Sequence, residues 1–387
     1  MDQDLISLKD RAAVTGVGET AYVRETNKTV VALCMEAALA AIADAGLHPR
    51  NIDGVIPYPE AGLIAEDFIT NFGLTDLRYS AQTPMGGASP VAAVQSAAMA
   101  VATGVANHVL VVLGLGSLAD VRITKRLSDM PQMRLIGEFE MPLGMNAPAQ
   151  LYAHMARRHM ELYGTTSEQF AEVAMTCRHH AQLNERAMMR KPMTLADHQA
   201  SRLIVEPFRL FDCCLESAGA AAVIVSRAAQ APDLKQRPVY IGGIAEGHPP
   251  SPSAITQRNE MTRLGLANAA PVAFRMAGVT PADIDVAEIY DCFTWTVICQ
   301  LEDLGFCPKG EGGRFVEQGR LRLGGELPVN THGGLLSEAH IGGMNHIVEL
   351  VRQLRGVCGE RQVADAEVGL VTGYGDLGDG SVAIMRR

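Results

Sequence analysis

Residues 41–58 read AIADAGLHPRNIDGVIPY and residues 273–290 read AFRMAGVTPADIDVAEIY, a near-copy at constant offset with no gap. Ala41, Ala45, Gly46, Pro49, Ile52, Asp53 and Tyr58 recur as Ala273, Ala277, Gly278, Pro281, Ile284, Asp285 and Tyr290. A solenoid repeats every 20–50 residues or so, so a repeat this far apart implies two similar domains instead. What both copies keep serves folding, and what one copy alone carries is available for chemistry.

Both copies sit in the same order of elements. RAAVTGVGET (11–20) and RPVYIGGIAEG (237–247) read as buried strands ending in glycines. A helix follows each, stopped by a glycine just past its end and by a proline that blocks continuation. IDGVIPY then resumes as a strand, as does the end of 268–290. Next come a Gly-rich turn and a buried helix, MGGASPVAAVQSAAMAVATG (85–104) and GGLLSEAHIGGMNHIVELVRQLRG (333–356). HVLVVLGLGS (108–117) and VGLVTGYGDLGDGS (368–381) close the halves. This duplicated β-α-β-α-β order predicts an α/β fold with two mostly parallel central sheets and helices on both sides. Residues 118–205 have no counterpart and read as an inserted loop domain that shapes a pocket. The N-terminal half is then 1–117 with 206–230, the linker lies within 228–238, and the C-terminal half is 236–387.

Composition removes several function classes. A net charge of −10 without any Lys/Arg cluster argues against nucleic acid. No apolar run reaches the roughly 18–20 residues of a membrane span. The opening MDQDLISLKDR lacks the apolar segment of a signal peptide. Eight cysteines without a CxxC pair or metal spacing predict reduced thiols in a cytoplasmic protein.

The ordered set YDCFT (290–294), ELYGTTSEQFAEVA…RHHAQLNERA (161–187), ESAGAAAVIVS (216–226) and NTHGGLLSEAHIGGMNH (330–346) resembles the thiolase superfamily. Within it, the sterol-carrier-protein-type thiolases match best, over essentially the whole chain. The resemblance implies a thiolase-like fold. Thiolase chemistry needs a nucleophilic cysteine at the start of the first half's central helix, because the thiolate takes the acyl group from coenzyme A. Gly87 stands at that position, in TPMGGASP. The family's second reactive cysteine aligns with Tyr374, its Gly-His-Pro histidine with His340, and the residue opening its NEAF/HDCF motif with Tyr290.

Without either cysteine, what remains is proton transfer and stabilisation of an enolate, the parts needed for retro-aldol cleavage of a β-hydroxyacyl-CoA. The chain looks like the cysteine-less thiolase-like aldolases that shorten steroid side chains, which can carry tyrosine where this chain has His340. The resemblance implies Tyr290 as base and His340 or Tyr374 as proton donor. It implies His332, Gly333, Gly334, Gly87 and Asn345 around the thioester oxygen. It also implies an acyl-CoA substrate, a homodimer and a zinc-ribbon/OB-fold partner, with no cofactor beyond the coenzyme A of the substrate and no metal. A free tyrosine titrates near about 10, so an active Tyr290 requires a nearby cation or hydrogen-bond donors.

The other polar residues read as structural. Tyr58, between two prolines, reads as a packed strand-end ring, and Asp291 as a loop-capping carboxylate. Cys292 and Cys299 read as small hydrophobes, and His154, His159, His179 and His180 as a solvated helix face. Two other readings stay open on the residues alone: a non-catalytic acyl-CoA or sterol-binding subunit, and an acyltransferase with an unrecognised nucleophile.

Overall fold

A computed structural model describes residues 8–58, 62–116, 133–249, 255–375 and 378–387. The first stretch of the insertion (118–132) and Pro59 lie outside these residues. The duplication is visible in the strand–helix contacts. Strand β1 (Ala12–Glu19) is followed by the Val30–Ala45 helix, capped by the Thr29 hydroxyl on the Ala32 amide at 3.1 Å and ended by left-handed Gly46, φ 74°. The corresponding Leu266–Ala277 helix ends on Gly278 at φ 73°.

Glycine on the strand lets each helix lie against it. A Cβ on Gly16 would lie 2.2 Å from the Ala41 carbonyl oxygen and 2.9 Å from the Ala45 Cβ. In the second copy, one on Gly243 would lie 2.1 Å from the Ala273 carbonyl and 2.8 Å from the Ala277 amide. The repeated aspartates act alike too. Asp53 accepts the amides of Asn107 and His108, both at 2.9 Å, and Asp285 those of Glu367 and Val368 at 2.8 and 2.9 Å. Each pins the start of the strand that pairs in parallel with the one it precedes.

Strands β2 (Gly54–Pro57), β3 (Tyr79–Ser80), β4 (His108–Leu115) and β7 (Gly219–Arg227) complete the first half, with β5 (Leu203–Val205) and β6 (Phe208–Arg209) forming a separate hairpin. Strands β8 (Val239–Gly247), β9 (Val286–Glu288), β10 (Val368–Tyr374) and β11 (Gly380–Arg386) make the second. The expected pair of mostly parallel sheets is corrected on two counts. Nine of these eleven strands form one sheet, in the order β3-β2-β4-β7-β1-β8-β11-β10-β9, joined where β1 pairs antiparallel with β8. The sheet is also mixed: β1–β7, β4–β7, β8–β11 and β10–β11 are antiparallel. Only residues 375–379 separate β10 from β11, too few for a crossover helix, so the chain must turn back on itself.

The described part of the insertion (133–205) packs on the second half through helices Pro148–Tyr163 and Ser167–Gln182. This corrects the solvated-face reading of its histidines. His154 and His179 are exposed, but His159 is buried between Thr165 (2.8 Å) and Glu302 (3.1 Å). His180 is likewise buried, its Nδ1 3.1 Å from the Asn330 carbonyl and its Nε2 accepting the Leu323 amide at 3.0 Å. A helix covered by two neighbours turns more than one face inward, and spacing alone does not reveal the second.

Candidate active site at the junction of the halves

Tyr290 leaves the end of β9 with its backbone locked. Its amide donates to Thr372 Oγ1 (3.0 Å) on β10. Its carbonyl accepts from Gln300 Nε2 (2.7 Å) and Thr296 Oγ1 (3.2 Å) of the Thr294–Asp303 helix. Thr372 in turn donates to Gln300 Oε1 at 2.7 Å, closing a buried polar triangle. The ring therefore has one direction to take, across the sheet edge toward the first half.

There it meets Gly87. A Cβ on Gly87 would lie 2.2 Å from both Cζ and Oη of Tyr290. The tyrosine hydroxyl thus occupies the space in which any side chain at position 87 would begin. Gly343, at φ 88°, makes room on the other side, since its Cβ would lie 2.8 Å from Tyr290 Cδ2. The site straddles both halves, with the first supplying the glycine and the second the hydroxyl. Tyr58, the twin of Tyr290, is half-buried and directs its hydroxyl to the Gly86 carbonyl at 3.5 Å.

Tyr290 Oη lies 3.1 Å from His340 Nε2. Tyr290 is 4% exposed and His340 is partly buried. Burial pushes the His340 imidazole down to about 4, against the opposing pull of Asp291. The ring is therefore neutral at physiological pH. In the tautomer protonated at Nδ1, its Nε2 accepts the phenol proton. Ser217 Oγ accepts the His340 amide at 3.1 Å and holds the loop in place.

The remaining expected site residues fall into a second layer. Tyr374 is 2% exposed; its ring packs edge-on to Tyr152 (5.4 Å) and its hydroxyl lies 3.9 Å from Met155 Sδ. Asn345 is buried and donates to Glu338 Oε2 (2.8 Å) and the Ala339 carbonyl (3.1 Å), bracing the backbone before His340. Gly333 and Gly334, at φ 109° and 63°, lie behind the site. A Cβ on Gly334 would lie 2.0 Å from Asp291 Oδ2. Of the loop residues expected around a thioester oxygen, Gly333 gives its amide to the Asn330 carbonyl, and beyond Gly334 the Leu335 and Leu336 amides go to Asp291 at 2.8 and 3.3 Å. Asp291 is the capping carboxylate it reads as.

His332 is 1% exposed and does not line the site. Its Nδ1 lies 3.0 Å from Glu288 Oε2 and its Nε2 2.9 Å from His346 Nδ1, while His346 Nε2 lies 3.1 Å from Asp291 Oδ1. Glu288, His332 and His346 place three donor atoms within 4.8 Å of one another. They form a line and not a cage, because His332 meets its two neighbours through opposite ring nitrogens, whereas a metal needs one nitrogen from each ring converging on a point.

Sequence reasoning passed over Glu288, His346, Thr372 and Gln300. The repeat carried a signal for the first: Glu288 stands where the first copy has Ile56, a charge in a strand whose twin is apolar. The cysteines supply no nucleophile near Gly87. All eight are free, and burial raises the thiols of Cys34 and Cys213 to about 12.

Residues 247–387 match the family described as thiolase C-terminal domain-like. The chain is 40% identical over 373 residues to the 17-hydroxy-3-oxo-4-pregnene-20-carboxyl-CoA lyase of Mycobacterium tuberculosis, covering 94% of this chain and 96% of that one. It is 40% identical over 359 residues to the steroid side-chain-cleaving aldolase of Thermomonospora curvata, covering 90% and 91%. Among solved structures, the Ltp2-ChsH2(DUF35) aldolase superposes with a TM-score of 0.91 at 38% identity, covering 98% of each chain.

Proposed function

Since the chain belongs to the thiolase superfamily, in its branch of steroid side-chain-cleaving aldolases, we propose that Tyr290 and His340 carry out its carbon–carbon lyase reaction on a β-hydroxyacyl-CoA. The substrate is a steroid side-chain thioester, and the products are a ketone and a short acyl-CoA. The observation that carries this reading is the Tyr290 hydroxyl, set in the space before Gly87 and 3.1 Å from His340 Nε2.

In the forward direction Tyr290 Oη takes the β-hydroxyl proton while passing its own to neutral His340 Nε2. The Cα–Cβ bond breaks, its electron pair moves into the thioester enolate, and the β-carbon leaves as a ketone. His340 then returns a proton to Cα, so the proton removed from oxygen is balanced by the one delivered to carbon. Gly87 lies in the turn leading into the buried Ser89–Ala102 helix, whose positive N-terminal end favours the charge developing on the enolate. Tyr374, with its hydroxyl against Met155, serves as pocket wall, and His332 and Asn345 hold the loop that carries His340.

A DUF35-type zinc-ribbon/OB-fold protein is the proposed partner, and a second copy of the chain the proposed companion. The name of the similar Ltp2-ChsH2(DUF35) aldolase, which joins Ltp2 to a DUF35 protein, supports the first of these.

The test incubates the chain, with and without a DUF35-type protein, with a β-hydroxyacyl-CoA of a steroid acid. Ketone and short acyl-CoA are expected in equal amounts. Tyr290→Phe removes the proton carrier with little change in volume, and turnover is expected to fall at least about 10²-fold with substrate binding kept. Full turnover in that variant would overturn the assignment.

A further inference from the structure

We propose that Glu288, His332 and His346 form a buried proton relay that ends on Asp291 and sets the charge beneath the Tyr290–His340 pair. This role rests on the retro-aldol reading of that pair; the relay itself rests on a count of hydrogens. Glu288, His346 and Asp291 are fully buried and His332 nearly so, with successive separations of 3.0, 2.9 and 3.1 Å.

The direction of the chain is set at its Asp291 end. That carboxylate already accepts the Leu335 and Leu336 amides, so His346 Nε2 is a donor to it. A neutral imidazole has one N–H, which leaves His346 Nδ1 bare and makes His332 Nε2 the donor between the rings. His332 Nδ1 is then bare as well, and it faces Glu288 Oε2 at 3.0 Å. Two bare acceptors at that separation repel each other. One further proton, seated on Glu288 and shared with the rings, removes the conflict.

A separate shortage of hydrogens lies at the other oxygen of Glu288, and the proton on Oε2 does not fill it. The Thr331 hydroxyl has one hydrogen but lies 2.8 Å from both Glu288 Oε1 and Glu349 Oε1 while accepting from Gln353 Nε2 at 2.9 Å. Glu349 is the ionised member, held down to about 2 against its own burial by Arg361, whose nitrogens lie 2.9 and 3.0 Å away. Burial and the charge of Glu349 push Glu288 the other way, well above the carboxylate range.

The other titratable groups around the chain are accounted for. Glu338 faces His332 Nε2 at 3.6 Å but is held by the Asn184 and Asn345 amides. Cys177 lies 3.5 Å from Asp291, with its thiol raised by burial, as is that of Cys358. The His346 ring packs edge-on to Tyr290, 6.2 Å between centroids, which sets the chain against the active pair.

Transfer moves three protons one step each: Glu288 Oε2 to His332 Nδ1, His332 Nε2 to His346 Nδ1, and His346 Nε2 to Asp291 Oδ1. Glu288 becomes a carboxylate and Asp291 an acid, with no change in net charge and no redox partner. The Glu288–His332 approach lies off the ring's N–H axis, so the first transfer requires the carboxyl to turn. Neutralising Asp291 removes a negative charge one residue from Tyr290 as the enolate forms.

Glu288→Gln tests the relay, since the amide keeps the volume and a donor for His332 but has no proton to yield. The expected result is an unchanged KM, a kcat lower by about tenfold or more, and a shifted pH profile of kcat; wild-type kcat and profile overturn the role. Infrared spectra of the resting wild type, without substrate, are expected to show the carbonyl band of a buried protonated carboxyl that Glu288→Gln removes. A wild-type spectrum without the band, or an unchanged band in the variant, overturns the relay. This measurement stands even if the wild type releases no ketone, an outcome that counts against the retro-aldol reading alone.

Discussion

His340 is the residue on which pH acts most directly, because the lyase step needs its ring neutral. Burial sets the transition at about 4, well below the usual histidine range. Below that pH the ring is protonated and unable to accept from Tyr290, so turnover is expected to fall as pH drops through about 4 and to show no histidine limb near 6.5. A pH profile of kcat/KM checks this; an acid limb centred near 6.5 would contradict it. Stability carries the same sign, since the unfolded ring binds its proton more readily than the folded one: the contribution is complete above about 6.5 and is lost as pH falls toward 4. At this scale Tyr290, His340 and Gly87 were legible as positions in motifs. The orientation of the Tyr290 ring was not, because its backbone is fixed by Thr372 and Gln300, 82 and 10 residues away.

Among elements, the packing of one helix on one strand recurs in both halves, and with it a symmetrical sensitivity. Gly16 and Gly243 sit where a methyl group would press on the backbone of the facing helix at 2.2 and 2.1 Å. Gly16→Ala and Gly243→Ala are each expected to cost about 1–3 kcal/mol through overpacking. Denaturant titration of the two variants measures it, and wild-type stability in either would show that its helix can slide away freely. Helices, caps and strand ends were readable in the sequence because glycine, proline and capping residues act locally. Strand direction was not. The antiparallel return of β7 and β11 follows from connection geometry, and a buried strand reads the same whichever way it runs.

For the whole molecule, the seam between the halves matters more than the boundary that the repeat suggests. Residues from both sides share one core, with Val14, Val91 and Val111 packed in the same cluster as Ile241, Ile347 and Ala383. Arg355 and Asp44 pair across it at 2.7 Å. Calorimetry is therefore expected to show one cooperative unfolding transition; two well-separated transitions would mean that the halves are independent. The same seam restricts how such a chain can change its activity. The Tyr290 hydroxyl and a side chain at position 87 claim one volume, so an enzyme holding a cysteine there has no room for this tyrosine, and the reverse also holds. Single substitutions can connect the two chemistries only in a fixed order, in which the nucleophile is lost before the phenol arrives. Every path between them crosses a protein that has neither.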